Sequence, residues 1–115
     1  MLTNIAIVAA ILALGLIIHF ARLAGTISGE EARRLVASGA RLVDVRTKGE
    51  FSSGHLPGAV NIPVQTLSSG LKALGDPGKP IVVYCLSGAR SGRAKSVLES
   101  RGFGAVHNLG PMSRW

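Results

Sequence analysis

The stretch "IVVYCLSGARSGRA", Ile81 to Ala94, decides how this chain is read. Ile81, Val82, Val83 and Tyr84 form a β-branched and aromatic run, the pattern of a buried strand. Cys85, the one cysteine in the chain, closes that run. Small and polar residues follow, and a helix is expected from about Arg90 or Ser91. In an open parallel sheet, sites form outside the carboxyl ends of the strands. Cys85 stands at such an end. The small residues of "LSGARS" let the backbone curl back towards the sulfur. Its N–H groups and the positive end of the following helix then converge on any anion held there. This setting favours a thiolate, and Arg90 adds a permanent positive charge at the rim. The plainer reading is a small buried thiol followed by an ordinary strand-to-helix turn.

Working outward, short apolar runs alternate with helical patterns. "SGEEARRLVASGA" (Ser28–Ala40) opens with Ser28 and has Glu31 three residues later, a capping-box signature. Ala32, Leu35 and Val36 fall at helical spacing, and Gly39 suits a stop. "RLVDV" (Arg41–Val45) reads as a buried strand. "TKGEFSSGHLPGAVNIPV" (Thr47–Val64) reads mostly as loop, with "AVNI" as a short strand inside it. "VQTLSSGLKALG" is a weak helix, interrupted by Gly70 and two serines. "SGRAKSVLESRG" is a helix ended by Gly102, and "AVHNL" is a strand. Strands alternating with helices imply an α/β domain with a mainly parallel sheet.

The opening "MLTNIAIVAAILALGLIIHFARLAG" has no charged side chain before Arg22. Its apolar run is close to the roughly 20 residues that a membrane-crossing helix needs. Thr3, Asn4 and His19 sit near its ends, which makes His19 an interfacial residue rather than a ligand. A cleaved signal peptide fits less well. There is no basic segment before the apolar run, and Arg22 occupies a position near Ala24 that cleavage would want small. The expectation is a single-pass anchor over residues 1–24 and a folded domain over 25–115. Arg22, Arg33 and Arg34 follow the span and no basic side chain precedes it. The positive-inside rule then puts the C-terminal domain in the cytoplasm, at a plasma or inner membrane.

The formal charge of +7 is compatible with nucleic acid, an anionic surface or small anionic substrates. Aromatic residues are only 4% of the chain, and Lys and Arg are scattered rather than striped. Nucleic acid is therefore not expected as a partner. A lone cysteine makes neither an internal disulfide nor a zinc cluster, so no metal and no cofactor are expected.

Four segments together resemble the rhodanese-like sulfurtransferase family. "YCLSGARS" (Tyr84–Ser91) looks like its active-site loop, and "LVDVR" (Leu42–Arg46) and "GHLPGAVNIP" (Gly54–Pro63) like two other signatures. "GFGAVHNLGPMSRW" (Gly102–Trp115) resembles its closing strand and tryptophan. The resemblance covers Thr26 to Trp115. It implies a three-layer α/β sandwich around a five-stranded, mainly parallel sheet. It also implies that Cys85 takes a sulfane sulfur from a small anionic donor, such as thiosulfate or a persulfide. The sulfur then passes from the Cys85 persulfide to a thiol or protein acceptor. Leu86, Ser87, Gly88, Ala89, Arg90 and Ser91 match the donor-binding loop, and Asp44 and Arg46 match supporting positions. His55 matches a family position as well, but its "GHLPGA" setting is turn chemistry.

Three departures stand out. Gly110-Pro111 replaces a common Gly-Gly pair, the sequence ends at Trp115 where relatives often continue, and Thr47 and Lys48 replace an acidic residue and a proline. Two other functions compete. A cysteine phosphatase or arsenate reductase shares the thiolate in an anion cradle, but a Cys-x5-Arg loop needs arginine where this chain has Ser91. A non-catalytic binding or regulatory module on the same fold is the other, and retention of Cys85 argues against it.

Overall fold

The computed structural model describes residues 3–17 and 25–115 in full, and residues 2 and 18–23 as helix backbone. Helix α1 spans Leu2–Leu23 and α2 spans Gly29–Ala37, followed by strand β1, Arg41–Asp44. A one-turn helix α3, Lys48–Ser52, leads to the two-residue strand β2, Val60–Asn61. Two 3-10 segments, Val64–Ser69 and Leu71–Leu74, precede strand β3, Ile81–Cys85. Helix α4, Ala89–Ser100, strand β4, Val106–Pro111, and a closing 3-10 turn, Met112–Arg114, complete the chain.

Among the described residues the sheet has four strands in the order β2-β1-β3-β4, all parallel. This corrects the expectation of five. The chain ahead of α2 adds only a single parallel bridge, Thr26 to Asn108, with the Ile27 N–H donating to the Asn108 carbonyl at 2.9 Å. Beyond that bridge, Ser28 turns the chain into α2 by accepting from the Glu31 N–H at 3.1 Å. A helix that starts there leaves no length for a fifth strand.

Both faces of the sheet are covered, as parallel sheets require. One face carries Val43, Val45, Ile81, Val83 and Cys85, packed against Leu67, Leu74, Ala94, Leu98 and Phe103. The other carries Leu42, Val82, Tyr84 and Leu109, packed against Ala32 of α2 and, partly, Trp115. Strand alternation explains the split, since neighbouring residues of β3 point to opposite sides. Thr47–Ser53, read as loop, closes into α3 instead. Its Thr47 and Glu50 form a reciprocal capping box that outweighs the glycine and serines around it. The weak helix after Pro63 is two 3-10 segments divided at Gly70.

The N-terminal expectation is overturned. Among the described residues, no helix is long and apolar enough to cross a membrane. The anchor, the membrane partner and the inferred cytoplasmic placement therefore lack a span among the described residues. The expectations for His19, Arg22 and Ala24 lie outside the residues described in full.

Leu98 is fully buried between α4 and the sheet. Leu98→Ala is expected to cost about 2–5 kcal/mol, read as a lower midpoint in urea unfolding with an unchanged m-value.

Candidate active site

Cys85 is the last residue of β3, and the loop after it reaches α4 in three residues. Gly88 makes this connection possible. Its φ of +101° is left-handed, a region that L side chains avoid. In that conformation the Gly88 N–H points back at the Cys85 sulfur, 2.9 Å away. The Cys85 thiol is also 3.4 Å from Ser91 Oγ, to which it donates, and Ser91 donates in turn to the Gly88 carbonyl at 3.1 Å. Ser91 is fully buried. No side chain caps α4 at Gly88, so the first-turn N–H groups of α4 have no side-chain acceptor.

Of the expected cradle, therefore, the Gly88 N–H and the Ser91 hydroxyl lie at the sulfur. Leu86 is 58% exposed, and Ser87 and Ala89 are also exposed. Cys85 itself has no exposed surface. The helix begins at Ala89, one or two residues earlier than expected.

Asp44 and Arg46 come together without touching the thiol. Arg46 Nη2 donates to Asp44 Oδ2 at 2.7 Å and to the Gly54 carbonyl at 2.7 Å, while its backbone N–H donates to Asp44 Oδ1 at 2.9 Å. The pair is almost wholly buried. It raises the Arg46 pKa above its ordinary value, chiefly through the hydrogen bonds to Asp44. The Arg46 guanidinium lies 5.8 Å from the centre of the Tyr84 ring. The Tyr84 hydroxyl accepts from the Leu56 N–H at 3.1 Å. Burial pushes the Tyr84 phenol up to about 12. His55 stacks on Phe51 with ring centroids 3.7 Å apart and lies on the surface.

Arg90 differs from the free rim charge expected. Its Nη1 donates to Glu50 Oε1 at 2.7 Å and its Nη2 to Glu50 Oε2 at 3.0 Å. The side chains are 29% and 28% exposed. Glu50 Oε1 also accepts from the Thr47 N–H and hydroxyl, at 3.1 and 3.0 Å. Arg90 first, and then the Thr47 N–H, pull the Glu50 carboxyl from 4.5 down to about 2. Sequence reasoning missed Glu50. Its partner lies 40 residues away, and only the Thr47-x-x-Glu50 spacing marked it locally.

The rhodanese-like domain model matches residues 28–115. The chain belongs to the rhodanese-like domain family. A human thiosulfate:glutathione sulfurtransferase is 39% identical over 107 residues, covering 80% of this chain and 93% of the relative. The solved structure of a human single-domain sulfurtransferase has a TM-score of 0.69 at 34% identity, covering 80% of this chain and 92% of that one. An Escherichia coli rhodanese solved with anions has a TM-score of 0.64 at 31% identity, covering 67% and 92%. In this rhodanese-like domain, the matched region includes the whole Cys85 loop and both partners of each ion pair.

Two outcomes follow from this geometry. Gly88→Ala is expected to cost about 1–2 kcal/mol, because it forces a side chain into the left-handed region, and chemical denaturation measures it. Glu50 has its folded pKa below the unfolded value, so its pairing stabilises the domain above about 4.5 and is lost as pH falls through about 2. The stability gap between wild type and Glu50→Gln, followed by urea unfolding at decreasing pH, is expected to close over that window.

Proposed function

We propose that the protein moves a sulfane sulfur from a small anionic donor, thiosulfate or a persulfide, to a thiol acceptor through a persulfide on Cys85. It is an enzyme of the rhodanese sulfurtransferase type, within a folded unit over residues 25–115. The observation that carries the site assignment is the Gly88 N–H aimed at the Cys85 sulfur beside the uncapped start of α4. A hydrogen-bond donor held there stabilises negative charge on either a thiolate or a persulfide.

With thiosulfate, the Cys85 thiolate attacks the outer sulfur. A new S–S bond forms, the donor S–S bond breaks, and its electron pair leaves with sulfite. An acceptor thiolate then attacks the outer sulfur of the persulfide. It departs carrying that sulfur, and the Cys85 thiolate is restored. The Ser91 hydroxyl has one proton. It points at Gly88 while Cys85 is a thiol and turns to the sulfur once the thiol has ionised. Leu86, Ser87, Gly88 and Ala89 line the donor position, with Arg90 and Ser91 behind them. Cys85 has no exposed surface while Leu86, Ser87 and Ala89 do, so a donor meets the loop before the sulfur. Asp44 and Arg46 act at a distance by holding the neighbouring strand end. The human relative is named for thiosulfate and glutathione. The same donor and acceptor classes are proposed for this chain.

Intact mass measured after incubation with thiosulfate is expected to rise by one sulfur, and a reductant should reverse the gain. Cys85→Ser is expected to fold and gain none, because an alkoxide does not carry sulfur as a persulfide does. Turnover of an aryl phosphate without any sulfur gain would overturn the proposal in favour of phosphatase chemistry. A thiol that neither loads sulfur nor alkylates would leave a binding module.

A further inference from the structure

The loop following Cys85 carries a single charge, since Leu86, Ser87, Gly88 and Ala89 have none. That charge is Arg90, and both of its terminal nitrogens are on Glu50. Asp44, another acid near this end of the sheet, is committed to Arg46. The rim at Arg90 is thus a closed ion pair, whose field falls off faster with distance than that of a lone cation. A dianion such as thiosulfate has twice as much to lose from this cancellation as a monoanion in the same place. The second observation is Leu86, directly after Cys85, with 58% of its surface exposed. An apolar side chain at that position offers contact to carbon, which thiosulfate lacks.

We propose that Glu50 sets the donor preference of the site: by occupying Arg90 it removes the advantage of the inorganic dianion, and with exposed Leu86 it fits the site to monoanionic organic sulfane donors. This rests on the sulfurtransferase reading above. The donors in question are organic persulfides and thiosulfonates, each with a carbon group next to the leaving atom. With a thiosulfonate, the Cys85 thiolate takes the outer sulfur and the electron pair leaves with an organic sulfinate. Glu50 is a positioning residue in this account. It touches Arg90 rather than the donor.

The experiment measures the second-order rate of sulfur loading onto Cys85, by intact mass, with thiosulfate, methanethiosulfonate and benzenethiosulfonate. Glu50→Gln keeps an oxygen for the Thr47 cap and removes the charge. It is expected to raise thiosulfate loading by the square of its effect on methanethiosulfonate, for example about ninefold against about threefold, since the energy scales with donor charge. The thiosulfate rate should also become more sensitive to salt. Leu86→Ser is expected to slow benzenethiosulfonate relative to methanethiosulfonate by about threefold or more, as apolar contact is lost. Equal changes for dianion and monoanion in Glu50→Gln, or a fall for both, would overturn the role of Glu50 and leave it a strut for α3. An unchanged aromatic-to-methyl ratio in Leu86→Ser would overturn the carbon contact. Wild type that loads from at least one donor keeps the sulfurtransferase reading intact in either case. Wild type that loads from none removes that reading itself.

Discussion

The buried ion pair between Asp44 and Arg46 is the constraint on which the site end of the domain depends. Removing one partner of such a pair typically costs about 3–5 kcal/mol, because the other charge is left buried alone. Here the pair also fixes geometry. Arg46 reaches over to the Gly54 carbonyl, and the Asn61 side-chain amide donates to the carbonyls of both Asp44 and Arg46. The Val45 N–H donates to the Tyr84 carbonyl, one residue before the thiol, and the Ile62 N–H donates to the Asp44 carbonyl. The Arg46 cation thus ties the end of β1 to Gly54, just past the end of α3, while Asn61 and backbone hydrogen bonds tie β1 to β2 and β3. Glu50 is carried into position by α3. The pair that never touches the sulfur therefore holds both chain ends flanking the segment that carries the group opposite Arg90.

Much of this was legible in the sequence, and the reason is local physics. β1 and β3 were readable because each is a short buried apolar run between turn residues. The Ser28 cap and the helix after Cys85 were readable because their signals lie within a few residues. The α3 turn was written in the Thr47-x-x-Glu50 spacing but hidden by the glycine and serine content around it. The fifth strand failed for a different reason. Parallel edge pairing has no local signature, and the cap at Ser28 stops the chain after one bridge. The N-terminal segment shows the limit of composition, since an uncharged apolar run predicted a membrane span that the described helix does not supply.

The meeting of Cys85, Gly88 and Ser91 was legible in the sequence, and the pairing of Arg90 with Glu50 was not. Cys85, Gly88 and Ser91 meet because three residues of loop leave them little choice. Arg90 was read as free because nothing near it in the sequence is acidic. Its partner is supplied by a different element, through a contact that only the folded sheet creates. A charge in a sequence is a formal quantity, whereas a charge in a site is what remains after its neighbours are counted.

Burial of the thiol and pairing of the arginine belong to one arrangement. A sulfur with no exposed surface makes its Gly88 and Ser91 hydrogen bonds away from competing water, where they are stronger. The Arg90–Glu50 pair bridges the first turn of α4 to α3, so it steadies the far side of the loop while leaving Leu86 and Ser87 unengaged by it. The three residues between β3 and α4 are uncharged, and the bulky one among them, Leu86, is 58% exposed and stands outside the core.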